Sequence, residues 1–390
     1  MERIGIYGGT FNPPHIGHIQ AARSAMETLG LDRLLLIPVS DAPHKTLPPN
    51  SPAPAQRLQM LAIAAAALPG AEVSDLELRR EGVSYTYETV LDLKKMHPAA
   101  ELVLLMGTDM FLRFETWVHP EIIQENVTLA VFCRGDRGER EAIAREKAAM
   151  EARVELVDHE PVAISSTQLR RLLAFHCADD FLPRGVGEYI AREGLYDTAA
   201  HWKNLPMDKL EQVVVGLLKP SRVAHVLGCR DTALALARHW GADETDAARA
   251  GLLHDITKAL DGPLQLTLCS SYGKILGDFA RKYPKTLHAL TGSLVAERIF
   301  GENKAVVAAI ESHTTGKPNM NLLEAIIYVA DYMEPNRDFP GVEQLRRLAF
   351  EDIYAALDLG LHMTLDHLAR QGSEVSPETR QTLQWLNSRT

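Results

Sequence analysis

The sequence predicts two domains, an α/β domain with a parallel sheet and, after it, an all-helical domain. Up to about residue 196, short apolar runs suited to buried strands alternate with segments of helical periodicity, which is typical of β-α-β units. Beyond about residue 207 only apolar stripes at three-to-four spacing remain. The length of 390 residues suits two cores. We therefore expect domains at 1–197 and 207–390, joined by a linker at 198–206.

Composition and charge restrict the classes of function. The formal net charge of −10 argues against a nucleic acid as the main partner. The chain has no apolar run long enough to span a bilayer and no secretory signal, so we expect a cytoplasmic protein without a membrane partner. The four cysteines are far apart and form no C-x-x-C pair, as expected of reduced thiols. Small phosphorylated substrates fit this composition, and a homo-oligomer stays open.

In the first half, predicted strands and helices alternate along the chain. We expect strands at residues 4–7, 34–39, 73–78, 101–106, 128–133 and 154–157. Helical periodicity predicts helices at 21–29, 56–68 and 139–150, and another that ends near residue 96. Parallel strands need such crossovers, so the alternation predicts a sheet with helices packed on it.

The first strand leads directly into the string GGTFNPPHIGH at residues 8–18. Gly8 and Gly9 allow a ligand to approach the backbone, and the helix that follows offers unpaired N–H groups to a phosphate. His15 and His18 are three residues apart, so they share a helix face and can reach the same phosphate. The pattern favours hydrogen-bond donation to a nucleoside triphosphate whose α-phosphorus is attacked, over histidines that merely cap a helix.

Other polar residues follow the ends of later strands, where open α/β sheets bind ligands. Lys45, in a proline-rich loop, is either a phosphate contact or a solvated lysine. Gly107 and Asp109 follow the fourth strand, and this carboxylate can accept hydrogen bonds from ribose hydroxyls. Trp117 either stacks on a flat ring or packs in the core.

The segment at 164–172, I-S-S-T-Q-L-R-R-L, combines a helix cap with an anion site. Its hydroxyl residues Ser165 and Ser166 precede an apolar-periodic run, which predicts a helix N-cap. The same N-terminus can bind an anion, and Arg170 adds a fork of donors one turn into the helix.

The string at 8–18 resembles the signature of the nucleotidylyltransferase superfamily, and in particular of its nicotinate-mononucleotide adenylyltransferases. The I-S-S-T-x-x-R element resembles one that closes over the triphosphate in that family, and the resemblance covers about residues 1–196. It implies a Rossmann-like domain that transfers AMP from ATP to nicotinate mononucleotide. The implied reaction is in-line attack on the α-phosphorus, with Mg²⁺ on the leaving pyrophosphate and no covalent nucleophile.

The resemblance also assigns residues to roles. It implies catalytic roles for His15, His18, Lys45 and Arg170. ATP is expected at Gly8, Gly9, Thr10, Phe11, His15, His18, Gly107, Asp109, Ile164, Ser165, Ser166 and Arg170. The mononucleotide is expected at Lys45, Thr86 and Trp117, with the turn at Thr86 recognising the carboxylate; without the resemblance, that turn is a helix cap. Residues 110–112 depart from the family, in which a more polar stretch is common.

In the second half we expect helices at 207–218, 221–240, 243–253, 287–300, 304–313, 322–333 and 350–370. Their apolar stripes carry six residues that an apolar core excludes, namely His225, His254, Asp255, His288, His313 and Asp331. Each alone is more often a satisfied core residue or a cap. Together they need a common partner, since uncompensated burial of imidazoles and carboxylates is costly. Two metal ions are the simplest partner.

The order His, then His-Asp, then Asp resembles the HD phosphohydrolase superfamily, and His288 and His313 are similar to one bacterial branch of it. That branch resembles symmetrical diadenosine tetraphosphate hydrolases with a two-metal, often iron, centre. The resemblance implies hydrolysis of this dinucleoside polyphosphate to two ADP. It assigns one metal to His225, His254, Asp255 and Asp331, and the other to Asp255, His288 and His313. Lys258 and Arg337 are implied phosphate contacts, and Asp255, shared by the metals, is the implied catalytic carboxylate.

Two alternatives stay open at this point. In one, the helical domain is a non-catalytic nucleotide sensor stabilised by metal. In the other, the acceptor of the adenylyl group is nicotinamide mononucleotide or pantetheine phosphate.

Overall fold

The computed structural model describes residues 1–39, 47–48, 50–80, 82–133, 137–150 and 152–389. The chain divides into two compact units, Met1–Ala200 and His201–Thr390. The first unit is an α/β domain, and the second is helical throughout its described part. No described helix combines the length and the apolarity needed to cross a bilayer.

Six parallel strands form the sheet of the first unit. They are β1 (Arg3–Gly9), β2 (Arg33–Pro38), β3 (Ala71–Val73), β4 (Glu101–Gly107), β5 (Val127–Cys133) and β6 (Val154–Asp158), in the order β3-β2-β1-β4-β5-β6. The chain runs outward from β1 to β3 and then returns to place β4 on the other side of β1. Such a reversal opens a crevice at the carboxyl ends of the two central strands, where open α/β sheets bind ligands.

Helices cover both faces of this sheet. They are α1 (Ile16–Leu29), α2 (Pro54–Ala65), α3 (Thr86–Met96), α4 (Thr108–Phe111), α5 (Pro120–Asn126), α6 (Arg137–Ala149), α7 (Ser166–Ala174) and α8 (Val186–Glu193). Along β4, Leu102, Leu104 and Met106 join one buried cluster with residues of α3, α5 and α6. Val103 and Leu105 join the opposite cluster with α1 and α2, as the two-residue period of a strand requires.

The predicted fold class of the first domain is confirmed, and one strand prediction is wrong. The third strand was expected at residues 73–78, but β3 covers only Ala71–Val73. It lies at the sheet edge and pairs only with β2, through Leu34 to Leu36. The apolar residues that follow pack as a turn instead, so their alternation reflects burial of Leu76 against the core and not strand pairing.

The second unit contains helices α9 (Met207–Leu217), α10 (Pro220–Trp240), α11 (Glu244–Leu253), α12 (Gly262–Ser271), α13 (Asp278–Lys282), α14 (Leu287–Val295), α15 (Lys304–Ser312), α16 (Leu322–Met333), α17 (Val342–Glu351), α18 (Ile353–Arg370) and α19 (Pro377–Asn387). A π-helical turn, Ala296–Phe300, continues α14. Helix α16 is buried almost all round and packs against α10, α11, α15 and α18. The all-helical prediction is confirmed, although α12, α13, α17 and α19 were not predicted.

Candidate functional site

A cavity of about 550 Å³ opens at the carboxyl edge of β1 and β4. Of the residues predicted for nucleotide binding, His15, His18, Gly107, Asp109 and Ile164 line it. Thr108 of the same turn also lines it, as do Tyr7, Phe132, Glu139 and His159, to which the sequence assigned no role in binding. The motif after β1 and the Gly-Thr-Asp turn after β4 therefore meet at the reversal of strand order.

The two histidines of the motif face each other, with ring centroids 3.7 Å apart. The backbone N–H of His15 donates to Nδ1 of His18 over 3.1 Å, which leaves the proton of a neutral His18 ring on Nε2. Burial lowers the pKa of His15 to about 4, so this imidazole is neutral near pH 7. Among the described residues, Nδ1 of His15 is buried without a hydrogen-bond partner. Such an atom is costly unless a ligand or water reaches it.

The three glycines of the motif lie in different surroundings. A Cβ on Gly17 would lie 3.0 Å from Nδ1 of His15, so this glycine makes room for the imidazole. A Cβ on Gly9 would lie 3.2 Å from the ring of Phe11, which is buried at 1% exposure and has a φ of 44°. Only Gly8 faces open space. The cavity lining does not include Gly8, Gly9, Thr10 or Phe11, so ATP contact at these positions stays a prediction.

Side chains from distant parts of the chain hold the motif in place. Arg170 donates from Nη1 to the carbonyl oxygen of Asn12 over 2.7 Å, and the hydroxyl of Tyr196 donates to Oδ1 of Asn12 over 2.8 Å. The fully buried Arg57 donates to the carbonyl oxygens of Thr10 and Val39, over 2.9 and 2.7 Å. Arg170 was predicted to contact phosphate, and here it lies against the loop that carries the histidines.

The two serines of the segment at 164–172 have different contacts. Ser165 is the N-cap of α7, and its hydroxyl accepts from the backbone N–H of Gln168 over 3.3 Å. Ser166 donates to the carbonyl oxygen of Pro13 over 3.4 Å, so the start of α7 is tied to the first motif. Neither serine is part of the cavity lining.

The residues predicted for the acceptor lie on two adjoining elements. Thr86 opens α3 directly after the N-cap Tyr85, and Trp117 packs against Phe114 with ring centroids 5.4 Å apart. Helix α3 meets the segment after Trp117 where the ring of Tyr87, on α3, contacts that of His119, the N-cap of α5, with centroids 4.8 Å apart. Thr86 and Trp117 do not line the cavity, and the predicted residue Lys45 lies outside the described residues.

In the second unit, four histidines turn their Nε2 atoms towards two carboxylates. Nδ1 of His254, His288 and His313 donates to a backbone carbonyl oxygen, over 2.7, 2.9 and 2.7 Å respectively. Nδ1 of His225 donates to the carboxylate of Glu334 over 3.1 Å. Since those oxygens can only accept, each neutral ring carries its proton on Nδ1 and presents a lone pair on Nε2.

The two carboxylates lie among these lone pairs. Nε2 of His225 is 3.1 Å from Oδ1 of Asp331 and 3.6 Å from Oδ2 of Asp255. Nε2 of His254 lies 3.6 Å from Oδ2 of Asp255, and Nε2 of His288 lies 3.5 Å from its Oδ1. Nε2 of His313 is 3.9 Å from that same Oδ1. All six predicted ligands therefore converge, although they come from five helices and the turns after them.

Ligand atoms fall into two overlapping groups that could each hold a metal ion. One group is His225, His254 and Asp331, and the other is His254, Asp255 and His313, with the atoms of each group within 4.8 Å of one another. The sharing of His254 differs from the sequence expectation, in which Asp255 alone is shared. His288 adjoins the second group through its contact with Asp255.

Protonation states in this cluster suit a metal. Burial lowers the pKa of His313 to about 4 and those of His254 and His288 well below their usual value. Burial alone would raise the pKa of Asp331, but its contact with His225 and the positive charge of Arg337 hold this pKa well below the usual range. Neutral imidazoles beside a charged carboxylate are the forms that metal binding requires. The residues present therefore fit divalent cations.

Two family models match the chain. A Cytidylyltransferase-like model matches residues 6–172, and an HD domain model matches residues 222–336. Probable nicotinate-nucleotide adenylyltransferases of Symbiobacterium thermophilum and Thermomicrobium roseum are 36% and 38% identical to it over 200 residues each, covering 50% and 51% of this chain and 96% and 93% of theirs. Through its first half, the chain belongs to the nicotinate-nucleotide adenylyltransferase family. Its second half is an HD domain.

Among solved structures, the HD domain is similar to a predicted HD superfamily hydrolase involved in NAD metabolism from Clostridium acetobutylicum. Identity is 38%, the match covers 48% of this chain and 99% of that one, and the TM-score is 0.47. The adenylyltransferase domain is similar to nicotinic acid mononucleotide adenylyltransferase of Plasmodium falciparum, with 18% identity, 51% and 98% coverage and a TM-score of 0.42.

Cationic side chains surround the HD cluster. The guanidinium of Arg222 lies against Oδ2 of Asp255, and Nζ of Lys258 is 3.9 Å from its Oδ1. Arg337 donates to Oδ1 of Asp331 over 2.6 Å. Arg222 was not predicted, although it lies three residues before His225 on α10, which places both on one face of that helix. Thr314, also missed, has its hydroxyl 3.0 Å from Nε2 of His288.

Proposed function

We propose that the adenylyltransferase domain transfers AMP from ATP to nicotinate mononucleotide, giving nicotinate adenine dinucleotide and pyrophosphate. The observation that carries this proposal is the pair His15 and His18 in a cavity at the strand-order reversal. The names of the curated relatives support the acceptor. ATP enters as its Mg²⁺ complex, so this cation is part of the substrate.

The residues of the site support direct transfer. The phosphate oxygen of the mononucleotide forms the new bond to the α-phosphorus of ATP, while the bond to the leaving pyrophosphate breaks on the opposite side. The Nε2–H of His18 and the neutral ring of His15 are donors for the oxygens on which negative charge accumulates. No nucleophilic side chain is required, because substrate alignment supplies the rate.

We propose that Trp117 and the turn at Thr86 select the pyridine acceptor. The indole is only partly buried against the core, so a ring face is available for stacking, and Thr86 lies at a helix N-terminus that favours a carboxylate. Lys45 and Arg170 are proposed to contact phosphate, Arg170 by leaving the carbonyl of Asn12 as α7 closes over ATP. The chain can be tested with ATP and nicotinate mononucleotide, nicotinamide mononucleotide or pantetheine phosphate, with products identified by mass. Faster turnover of either alternative acceptor would contradict this selection.

We propose that the HD domain is a phosphohydrolase that divides diadenosine tetraphosphate symmetrically into two ADP. Its support is the convergence of five ligands into two overlapping metal groups, with His288 beside Asp255 and with Arg222, Lys258 and Arg337 around them. Divalent transition metals held there, proposed to be iron, would act as Lewis acids on phosphate and supply activated water. The chain's cations would then neutralise a polyphosphate, because metal binding frees them from Asp255 and Asp331.

One accessible carboxylate favours catalysis over a sealed structural metal. The side chain of Asp331 is 18% exposed, whereas those of His254 and Asp255 are 0% and 2% exposed, so the cluster meets solvent on one side. A substrate can approach that side, as an open metal position requires. Incubation of the metal-loaded chain with diadenosine tetraphosphate tests the proposal. ADP alone is the expected product; ATP with AMP would contradict symmetrical cleavage, and bound metal without turnover would support the nucleotide sensor.

A further inference from the structure

Glu334 is a buried carboxylate that contacts the metal cluster through His225. It is 1% exposed, follows the last residue of α16, and accepts from Nδ1 of His225 on Oε1 over 3.1 Å. We propose that Glu334 is a positioning residue that fixes the direction and tautomer of His225 as a metal ligand, and that Gly228 is glycine to admit it. This inference rests on the proposed metal site.

His225 differs from the other three histidines in the group that receives its Nδ1 proton. The others donate to neutral backbone carbonyl oxygens three residues earlier in the chain. A carboxylate is a stronger acceptor than a carbonyl, and it makes the opposite ring nitrogen a better metal ligand. His225 is the ligand predicted on α10, and Glu334 contacts it on the ring nitrogen opposite the cluster.

The second oxygen of Glu334 is held just as firmly. Oε2 accepts from both the backbone N–H and the Nδ2 of Asn336, each over 2.8 Å. Nδ2 of Asn336 also donates to the carbonyl oxygen of Ala224 over 3.1 Å. The carboxylate thus receives donors on both oxygens and is joined to the turn of α10 that carries His225.

A glutamine at position 334 cannot satisfy this arrangement. Its amide has one acceptor oxygen, and donors approach from His225 on one side and from Asn336 on the other. If the NH₂ faces Asn336, donors oppose donors. If the NH₂ faces His225, Nδ1 must accept, the ring proton moves to Nε2, and the lone pair for the metal is lost. Either orientation weakens the ligand, although glutamate and glutamine have almost the same shape.

Gly228 lies three residues after His225, on the same face of α10. A Cβ at this position would come closer to Oε2 of Glu334 than non-bonded atoms approach, and 3.2 Å from Nδ2 of Asn336. The carboxylate cannot rotate away without breaking its hydrogen bonds. Alanine is favoured over glycine within a helix, so the space for Glu334 explains why this helical position is glycine.

The test is titration of the full chain, stripped of metal by a chelator, with Co²⁺, followed by calorimetry and by the visible absorption bands of the bound ion. Glu334→Gln and Gly228→Ala are expected to weaken Co²⁺ binding about 10- to 100-fold at one site, with altered bands. Glu324→Gln is the matched control, because Glu324 is also buried but lies at the other end of α16, where it pairs with Lys317 and caps the helix start. Gly216→Ala on α9, where a Cβ meets open space, is the control for Gly228→Ala.

Three outcomes would overturn the inference in different ways. Wild-type Co²⁺ affinity in Glu334→Gln removes the positioning role but leaves the metal site standing. Equal weakening in Glu324→Gln assigns the effect to general destabilisation of α16 and likewise removes the role. Failure of the wild-type chain to bind Co²⁺ contradicts the metal site itself. If Glu334→Gln does not fold, Gly228→Ala decides, since its effect must come from displacement of Glu334 and not from loss of helix.

Discussion

The two sites of this chain are constructed in opposite ways. In the adenylyltransferase domain, eleven consecutive residues, 8–18, run from the end of β1 into the start of α1 and carry both histidines. In the HD domain, the ligands come from five separate helices and their ends, from His225 to Asp331. The first site is therefore defined by local backbone geometry, and the second by tertiary packing. A local motif can be recognised from consecutive residues in the sequence. A dispersed site can be recognised only from polar residues on helix faces that would otherwise be apolar.

The sites also differ in how they handle charge. In the first, His15 is neutral and the carboxylate of Asp109 is exposed on the cavity lining. The second buries the charged carboxylates Asp255 and Asp331 and offsets them with Arg222, Lys258 and Arg337. Loss of one charged group should thus affect the second site more than loss of one hydrogen-bond donor affects the first.

Asp255→Asn should have the largest effect of any single substitution. This carboxylate lies within 4 Å of ligand atoms on all four histidines, so its loss removes the common anion of the cluster. We expect hydrolysis of dinucleoside polyphosphate to be abolished and bound metal to fall, as measured by product analysis and elemental analysis. Adenylyl transfer should remain within about two-fold of wild type, since the cores are separate.

A matched control is Asp261→Asn, which changes the N-cap of α12 and should preserve both activities because asparagine caps helices equally well. Retained hydrolysis in Asp255→Asn would show that the reaction does not depend on this cluster. A parallel loss of adenylyl transfer would contradict the independence of the two sites.

His18→Ala should lower the kcat of adenylyl transfer by about 10²- to 10³-fold, as expected for removal of one transition-state donor. The KM for nicotinate mononucleotide should change much less, because the donor acts mainly on charge that develops during transfer. Steady-state kinetics of the full chain measure both, and His97→Ala, outside the cavity, is the control. Unchanged kcat would remove the central role given to the motif.

The sequence predicted the order of elements better than their ends. All six strands were expected, because continuous apolar runs identify buried parallel strands. The edge strand β3 was overextended, since only pairing with β2 decides where it stops. Helices α12 and α19 were missed although Asp261 and Ser376 cap them and a proline follows each cap within two residues. Those capping signals were present and would have found both helices.

Some site residues could be predicted from the sequence, and others could not. The six HD ligands were predicted because each is a polar group on an apolar stripe, and the structure brings them together. Residues that act through tertiary contacts left no such signal. Arg57 lies on a helix face like any surface arginine, and only the fold buries it against the carbonyl of Thr10. Tyr196 reaches Asn12 across 184 positions of sequence, a contact that no local pattern encodes.

Trp117→Ala should have a smaller effect than His18→Ala. If the indole stacks on the pyridine ring, its loss removes an aromatic contact worth about 0.5–1.5 kcal/mol beyond area burial, so kcat/KM for nicotinate mononucleotide should fall about 10-fold. Trp117→Phe should recover part of this loss. Equal falls in thermal stability and in activity would instead indicate that Trp117 serves the core beside Phe114. Parallel denaturation curves separate these cases.

Acid stability of the adenylyltransferase domain should depend on His15. His15 has a pKa of about 4 when folded, below the usual 6.5, so the unfolded chain binds its proton more readily. The stability that its neutral form contributes is fully present above pH 6.5 and is lost as the pH falls towards 4. Between pH 7 and pH 5 the free energy of unfolding should fall by about 2 kcal/mol through this group.

His15→Gln should remove that part of the pH dependence, since glutamine does not titrate. In calorimetry of the full chain, the transition that ATP raises identifies the adenylyltransferase domain. Its Tm difference between pH 7 and pH 5 should shrink by about 4–8 °C in His15→Gln, whatever the substitution does to the absolute Tm. His97→Gln, at a less buried position outside the cavity, should leave the difference as in wild type. An unchanged difference in His15→Gln would mean that this imidazole is not held neutral by burial, and the contrast in charge between the two sites would lose its basis.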